Sequence, residues 1–368
     1  MLHALSAALA VSMAAHGWGS GHTVIRQTAI GWLPQWQQEL LGASAQKLST
    51  QYASLQDQFA AGNRPELEPY CRVPDLALSL HDVCPIAVGP RGIRWYLERI
   101  AEQIAAGNSD EAAKYLGVLC HWIEDPASPS MHCVQGVIDE YKLRELLPPP
   151  PEKRRYHYLY GYSGIADRGE YHLPPEDYTP RLLGRSLDEA ALHIYQAQRW
   201  NAKRARAALV PIVSDEMYGD GAEASALRSQ LVFEAAKTTA DVIFTALCLA
   251  ADRCGEADSA HLDAVPLTDF ISEYQGGSAG FPYKWVPFLE DACFDQQRNL
   301  LPLQLPGPQG PQSFARGLGM GVPFALSYAL APGGVFTRFT ALVGLHPAAG
   351  KGGAVRFAVK VNGAVAAR

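Results

Sequence analysis

Nowhere among its 368 residues does the chain carry the spacing C-x-x-C, which speaks against a thiolate zinc knuckle. It lacks a G-x-x-x-x-G-K-[ST] phosphate loop, so nucleotide handling of that kind is excluded. No stretch reaches the ~18 consecutive apolar residues that a membrane helix requires. Positive charge is not in excess: 31 Lys and Arg against 37 Asp and Glu leave a formal net charge of −6. That balance argues against a broad basic surface for nucleic acid or anionic lipid. It leaves room for a small cationic pocket, because bound metal ions add charge that no residue count sees.

What is present is a globular composition, 48% hydrophobic and 18% charged, long enough for two domains of roughly 100–200 residues each. Met1 to Ala15 is apolar and Ala-rich, the texture of a secretory leader, although only His3 stands where a basic n-region belongs. A leader over residues 1–17 and a secreted or periplasmic location are the expectation. The seven cysteines fit export in part. Cys71 with Cys84, Cys120 with Cys133 and Cys248 with Cys254 are local pairs that could bridge, and Cys293 is left over.

From Gly17 to about Gly255 the apolar pattern is helical. Ile93, Leu97, Ile100 and Ile104 recur at helical spacing, and Gly107-Asn108 stops that run. Ser109 is expected to cap the next helix, with Asp110 and Glu111 in the first turn where the dipole favours anions. Pro126 ends it. Later helices are expected over about 186–209 and 222–253, with a rigid loop at Pro148 to Pro151. After Gly255 the texture changes to short alternating stretches between Gly and Pro. Phe336 to Val343 and Val355 to Val361 read as half-buried strands, with the turn Gly350 to Gly353 between them. The fold class expected is an all-α domain followed by a β-sandwich.

Chemistry concentrates in Tyr115 to Asp125. His121 and Asp125 stand four residues apart, so both project from one helical face. Imidazole and carboxylate are both good zinc ligands, and one helix can deliver the pair to one ion. His132 follows in the loop Pro129-Ser130-Met131-His132 and can reach the same cluster.

This segment resembles the zinc-dependent phospholipase C family and its relatives, the single-strand-specific nucleases. Their helix ends H-Y/F-x-G-D before a loop closing Q-P-x-H. His121, Asp125 and His132 match its ligands, with Glu124 in place of the usual glycine. Gly17-Trp18-Gly19-Ser20-Gly21-His22 looks like that family's mature N-terminus, where a leading tryptophan binds metal through its α-amino group and carbonyl. Cleavage after Gly17 would expose Trp18 in that role, and His22 matches the histidine that follows. Ser79-Leu80-His81-Asp82 is similar to a third segment, in which His81 joins His121 and Asp125 on one ion. The family's upstream aspartate falls on Asp57 by local texture, with Asp75 and then Asp82 as alternatives. The downstream H-x-x-x-E/D pair is not matched cleanly. His157 has no partner at that spacing, and His172 with Glu176 is interrupted by Pro174-Pro175.

The C-terminal stretch resembles the NPCBM family of carbohydrate-binding-like modules, through Phe314 to Gly321, Phe336 to Leu345 and Val355 to Gly363. That match starts near Val265 and breaks off at Arg368, before such a module's last strands.

The resemblances imply a leader over 1–17, a zinc-dependent phosphoesterase-like helical domain over 18–256, a linker over 257–264 and a partial NPCBM-like sandwich over 265–368. They imply two or three zinc ions held by Trp18, His22, Asp57, His81, His121, Asp125 and His132, with Asp57 and Asp125 as the catalytic carboxylates. Asp57 or Glu124 would serve as general base or as a group behind the ligands. The substrate would be a phosphodiester or phospholipid, and the C-terminal module would take a glycan. Single-stranded nucleic acid is the alternative substrate, since Trp122 and Tyr115 could stack bases. A catalytically inactive carbohydrate-binding or cell-surface protein is the alternative from another class.

Overall fold

The computed structural model describes Trp18 and residues 20–62, 64–74, 76, 87–129, 133, 143, 145–153, 171–276, 288–295, 297, 299–321, 323–330, 334–350 and 352–367. The chain divides into two units, Met1–Asp263 and Ala264–Arg368. The first is helical and the second is built of short strands.

The helical unit contains α1 (Gly21–Gly31), α2 (Gln35–Leu41), α3 (Ser44–Ser49), a 3-10 turn over Gln51–Ser54, and α4 (Leu55–Ala60). Then come α5 (Glu68–Cys71), α6 (Gly89–Ala105), α7 (Ser109–Glu124), a 3-10 turn over Asp125–Ala127, α8 (Leu187–Tyr218) and α9 (Ala222–Ala250). Ile93, Leu97 and Ile100 line one face of α6 and are buried, as their spacing predicts. They share a core with Leu116, Leu119 and Ile123 of α7, Ile194 of α8, and Val242, Ile243 and Leu247 of α9. α8 packs along α9, and α6 packs on both α7 and α8.

Three local expectations need correction. Ser109 does not cap α7; its hydroxyl donates to the Leu40 carbonyl at 3.0 Å. The Asp110 carboxylate accepts from Lys47 Nζ at 2.8 Å and from Tyr52 Oη at 2.9 Å, so tertiary partners claim both first-turn side chains. α8 runs past Leu209 to Tyr218 with Pro211 inside it. Pro211 and Ala207, whose carbonyl loses its hydrogen bond, are both exposed, so water meets that carbonyl. The thiols of Cys71, Cys120, Cys248, Cys254 and Cys293 are free, and Cys84 lies outside the described residues. Cys120 and Cys133 pack into different apolar clusters, which separates that local pair.

The C-terminal unit pairs its strands two by two. β1 (Tyr274–Gly276) lies antiparallel to β8 (Ala325–Ser327), and β2 (Phe288–Glu290) to β7 (Leu318–Met320). β3 (Cys293–Phe294) pairs with β4 (Leu300–Leu301), β5 (Leu303–Gly307) with β6 (Gly310–Phe314), and β9 (Val359–Val361) with β10 (Ala364–Ala367). Phe336 to Val343 carries no ladder pairing among the described residues, and Val355 to Val361 is regular only over β9. Alternation marks a stretch that suits a sheet, but a strand also needs a partner edge for its backbone groups.

Candidate metal centre

The C-terminal half of α7, Leu116 to Glu124, is buried on every side. A polar side chain in that position is costly unless the fold supplies it with partners. Gly117 makes the first of them available. A Cβ there would stand 2.7 Å from the Tyr52 carbonyl oxygen, so only glycine lets the Gln51–Ser54 turn lie against the helix. The close approach brings the Ala53 carbonyl to His121, whose Nδ1–H donates to it at 2.8 Å. His121 Nε2 is thereby aimed at Asp125 Oδ2, 3.1 Å away, and at Asp57 Oδ1, 3.4 Å away.

His22 enters from α1. Its Nδ1–H donates to Glu124 Oε2 at 2.6 Å, and its Nε2 lies 3.2 Å from Asp125 Oδ1. The two imidazoles stack with centroids 4.3 Å apart. Asp125, at the C-terminal end of α7, thus turns one carboxylate oxygen to each histidine. His22, His121 and Asp125 are at most 2% exposed, and their ligand atoms all lie within 4.8 Å of one another.

The chemistry of this donor set fits a metal cation. Two imidazole nitrogens and a carboxylate are zinc ligands. His22 Nε2 is buried and makes no hydrogen bond. Arg26 pairs with Glu124, and Asp125 and Asp57 face the histidines. Burial opposes the His121 imidazolium, but the Asp125 and Asp57 charges outweigh it and hold its pKa well above the usual histidine value.

Of the residues expected at the site, the structure brings together His22, Asp57, His121 and Asp125. Trp18 sits against them: its indole is fully buried, its Nε1 donates to the Glu124 carbonyl at 2.9 Å, and its own carbonyl accepts from Gly21 N–H. His81, His132, Asp75, Asp82, His157 and residues 1–17 lie outside the described residues. His172 and Glu176 are exposed and do not join the cluster, and Pro174-Pro175 keep that stretch non-helical.

Sequence reasoning missed Arg26, Ala53 and Gly117. Arg26 stands one turn after His22 between the buried residues Ile25 and Ala29, and an arginine at a core position was the signal. Ala53 acts through its backbone, which no side-chain pattern reveals. Burial raises the Glu124 carboxyl, but the charge of Arg26 and the His22 hydrogen bond prevail and hold it below the usual range.

In the C-terminal unit, Leu305, Phe314, Leu342, Val355 and Phe357 line an open groove of about 610 Å³ in which Gln312 is the one polar side chain among the described residues. The β5–β6 pair forms part of its wall. Residues 282–368 match the NPCBM/NEW2 domain. The NPCBM match spans β2 to β10 and ends at the last residue of the chain. No curated protein matches the chain by sequence. Among solved structures, the chain is similar to the crystal structure of Clostridium perfringens alpha-toxin isolated from avian strain SWCP. The TM-score is 0.30 and the identity 14%, over 86% of this chain and 84% of that one.

Proposed function

We propose that the helical unit is a zinc-dependent hydrolase of phosphate esters, with phospholipid-like phosphodiesters as its substrate class. The observation that carries this reading is the buried group of His22, His121 and Asp125, drawn from two helices and aimed at common points. The H-x-x-x-D pair of α7 and its resemblance to the zinc-dependent phospholipase C family support the choice of reaction. When bound, zinc lowers the pKa of a coordinated water toward ~7 and neutralises phosphoryl oxygens.

The chain's own residues divide the remaining work. His22, His121 and Asp125 hold the metal, with Asp125 shared between the two histidines. Asp57 has a side chain 25% exposed, where Asp125 has none. It is therefore the carboxylate of the cluster that substrate and water reach, placed to bind metal and to accept a proton from the attacking water. Burial of the remaining groups keeps their geometry fixed before substrate arrives. The NPCBM unit would add affinity for a glycan-bearing surface, and the leader-like residues 1–17 would direct the protein out of the cytoplasm. Among the described residues no helix is long and apolar enough to cross a membrane.

Metal analysis of the purified chain, paired with turnover of a chromogenic phosphodiester before and after chelation, tests the proposal. At least two zinc ions and activity abolished by chelation are expected. Stoichiometric absence of metal, or turnover indifferent to chelation, would overturn it. Faster cleavage of single-stranded nucleic acid in a parallel assay would move the substrate class to the nuclease alternative.

A further inference from the structure

Behind the metal-facing atoms lies a second, fully buried layer. Glu124 and Arg26 are both 0% exposed. Arg26 Nε donates to Glu124 Oε1 at 3.0 Å and to Oε2 at 3.1 Å. Its remaining nitrogens donate to the Leu48 carbonyl at 3.1 Å and the Gly117 carbonyl at 2.8 Å, which ties α1 to α3 and α7. Thr239 Oγ1 donates to Glu124 Oε1 at 3.3 Å, and His22 Nδ1 to Oε2. The carboxylate is surrounded by donors and held still.

We infer that Glu124, fixed by Arg26, makes His22 a metal ligand and renders the two ends of the cluster unequal in affinity. The inference rests on the metal-centre reading above. Its physical content is a contrast between the two histidines. His121 Nδ1–H is backed by a neutral carbonyl, that of Ala53, whereas His22 Nδ1–H is backed by a carboxylate. Both contacts engage Nδ1 and leave Nε2 as the ring atom turned toward Asp125. A charge-assisted bond to a carboxylate fixes the His22 ring more firmly than a neutral carbonyl fixes His121. Glu124 is therefore a positioning residue. Its oxygens face His22, Arg26 and Thr239, while the metal-facing oxygens belong to Asp125.

The experiment is a zinc titration of the full chain against a chromophoric chelator, for wild type, His22→Ala, Glu124→Gln and the double variant Arg26→Met/Glu124→Leu. Thermal melting of each metal-free protein accompanies it. The double variant guards against a folding failure, because a buried ion pair replaced by apolar residues of similar volume often leaves stability unchanged or higher. In Glu124→Gln and in the double variant, one ion should bind roughly 10–100-fold more weakly, the usual effect of losing a group behind a ligand. It should be the ion lost in His22→Ala, with the other unchanged. Nitrogen-15 spectra of the metal-free wild type should show His22 protonated at Nδ1. Unchanged binding of both ions in the double variant, equal weakening of both ions, or His22 protonated only at Nε2 would each overturn the inference. If wild type binds no zinc, the metal-centre reading fails and carries this inference with it. If both ions bind regardless of Glu124, only the inference fails.

Discussion

His22, Arg26, His121, Glu124 and Asp125 are each no more than 2% exposed in the helical unit, whereas Leu342, Val343 and Phe339 of the NPCBM unit are 74, 58 and 55% exposed. One unit places polar and charged groups in its interior, and the other leaves apolar groups on its surface. The first arrangement persists because each buried charge meets an opposite charge or a hydrogen-bond partner. Such a cluster has little freedom to rearrange, which is what a metal centre needs. The second arrangement gives a surface with few fixed polar directions, suited to contact and poorly suited to bond-breaking. The proposed chemistry accordingly belongs to the helical unit and the proposed attachment to the NPCBM unit.

The contrast breaks most sharply at Asp125. Asp125→Asn removes the carboxylate shared by both histidines and should lower metal content and phosphodiester turnover roughly 100-fold or more, as expected for loss of a bridging ligand. Asp110→Asn, on the same helix but paired with Lys47 and Tyr52, should keep its metal and cost about 0.3–1 kcal/mol. Equal metal content and activity in the two variants would place the chemistry elsewhere. Gly117→Ala comes next. Its Cβ would collide with the Tyr52 carbonyl, so denaturant unfolding should show a loss of about 1–3 kcal/mol. The metal at the His121 end should weaken with it, because the Ala53 carbonyl must retreat.

An effect on stability alone, read through pH, is expected at Asp241 on α9. Burial pushes this carboxyl up to about 7, against the Arg181 N–H and Tyr178 hydrogen bonds that favour its charged form. The folded chain then holds a proton that the unfolded chain releases near the usual 3.8. Stability from this group is fullest below that value and is lost as pH rises through about 7. Asp241→Asn should flatten the fall between pH 4 and 7, by up to about 4 kcal/mol, read from unfolding curves at several pH values. The smallest effect belongs to the NPCBM unit. Leu342→Ser should change stability by no more than about 0.5 kcal/mol, because the side chain is already in water. A loss of several kcal/mol there would show that this face is covered in solution, and would erase the contrast between the units.

The cores of α6 and α7 were legible in the sequence because apolar residues at helical spacing have few other ways to be buried. The change of texture after Gly255 likewise announced the small-strand unit. His121 and Asp125 were legible as a pair because four residues make about one helical turn. The strand over Phe336 to Val343 was misjudged, since pairing depends on a neighbour that alternation cannot name. Glu124 looked like a departure from a family pattern, and the structure turns it into the support of His22.

The sequence by itself determined which side chains could bind a metal and which helix would carry them, because helical spacing and ligand chemistry are both local properties. Only the tertiary structure decided that His22 meets Asp125 across 103 positions of chain, that Asp57 approaches His121, and that Gly117 admits the Ala53 carbonyl. Those contacts depend on how α1, α4 and the Gln51–Ser54 turn pack on α7. That packing is set by the shape of the whole apolar core, which no single segment of the chain encodes.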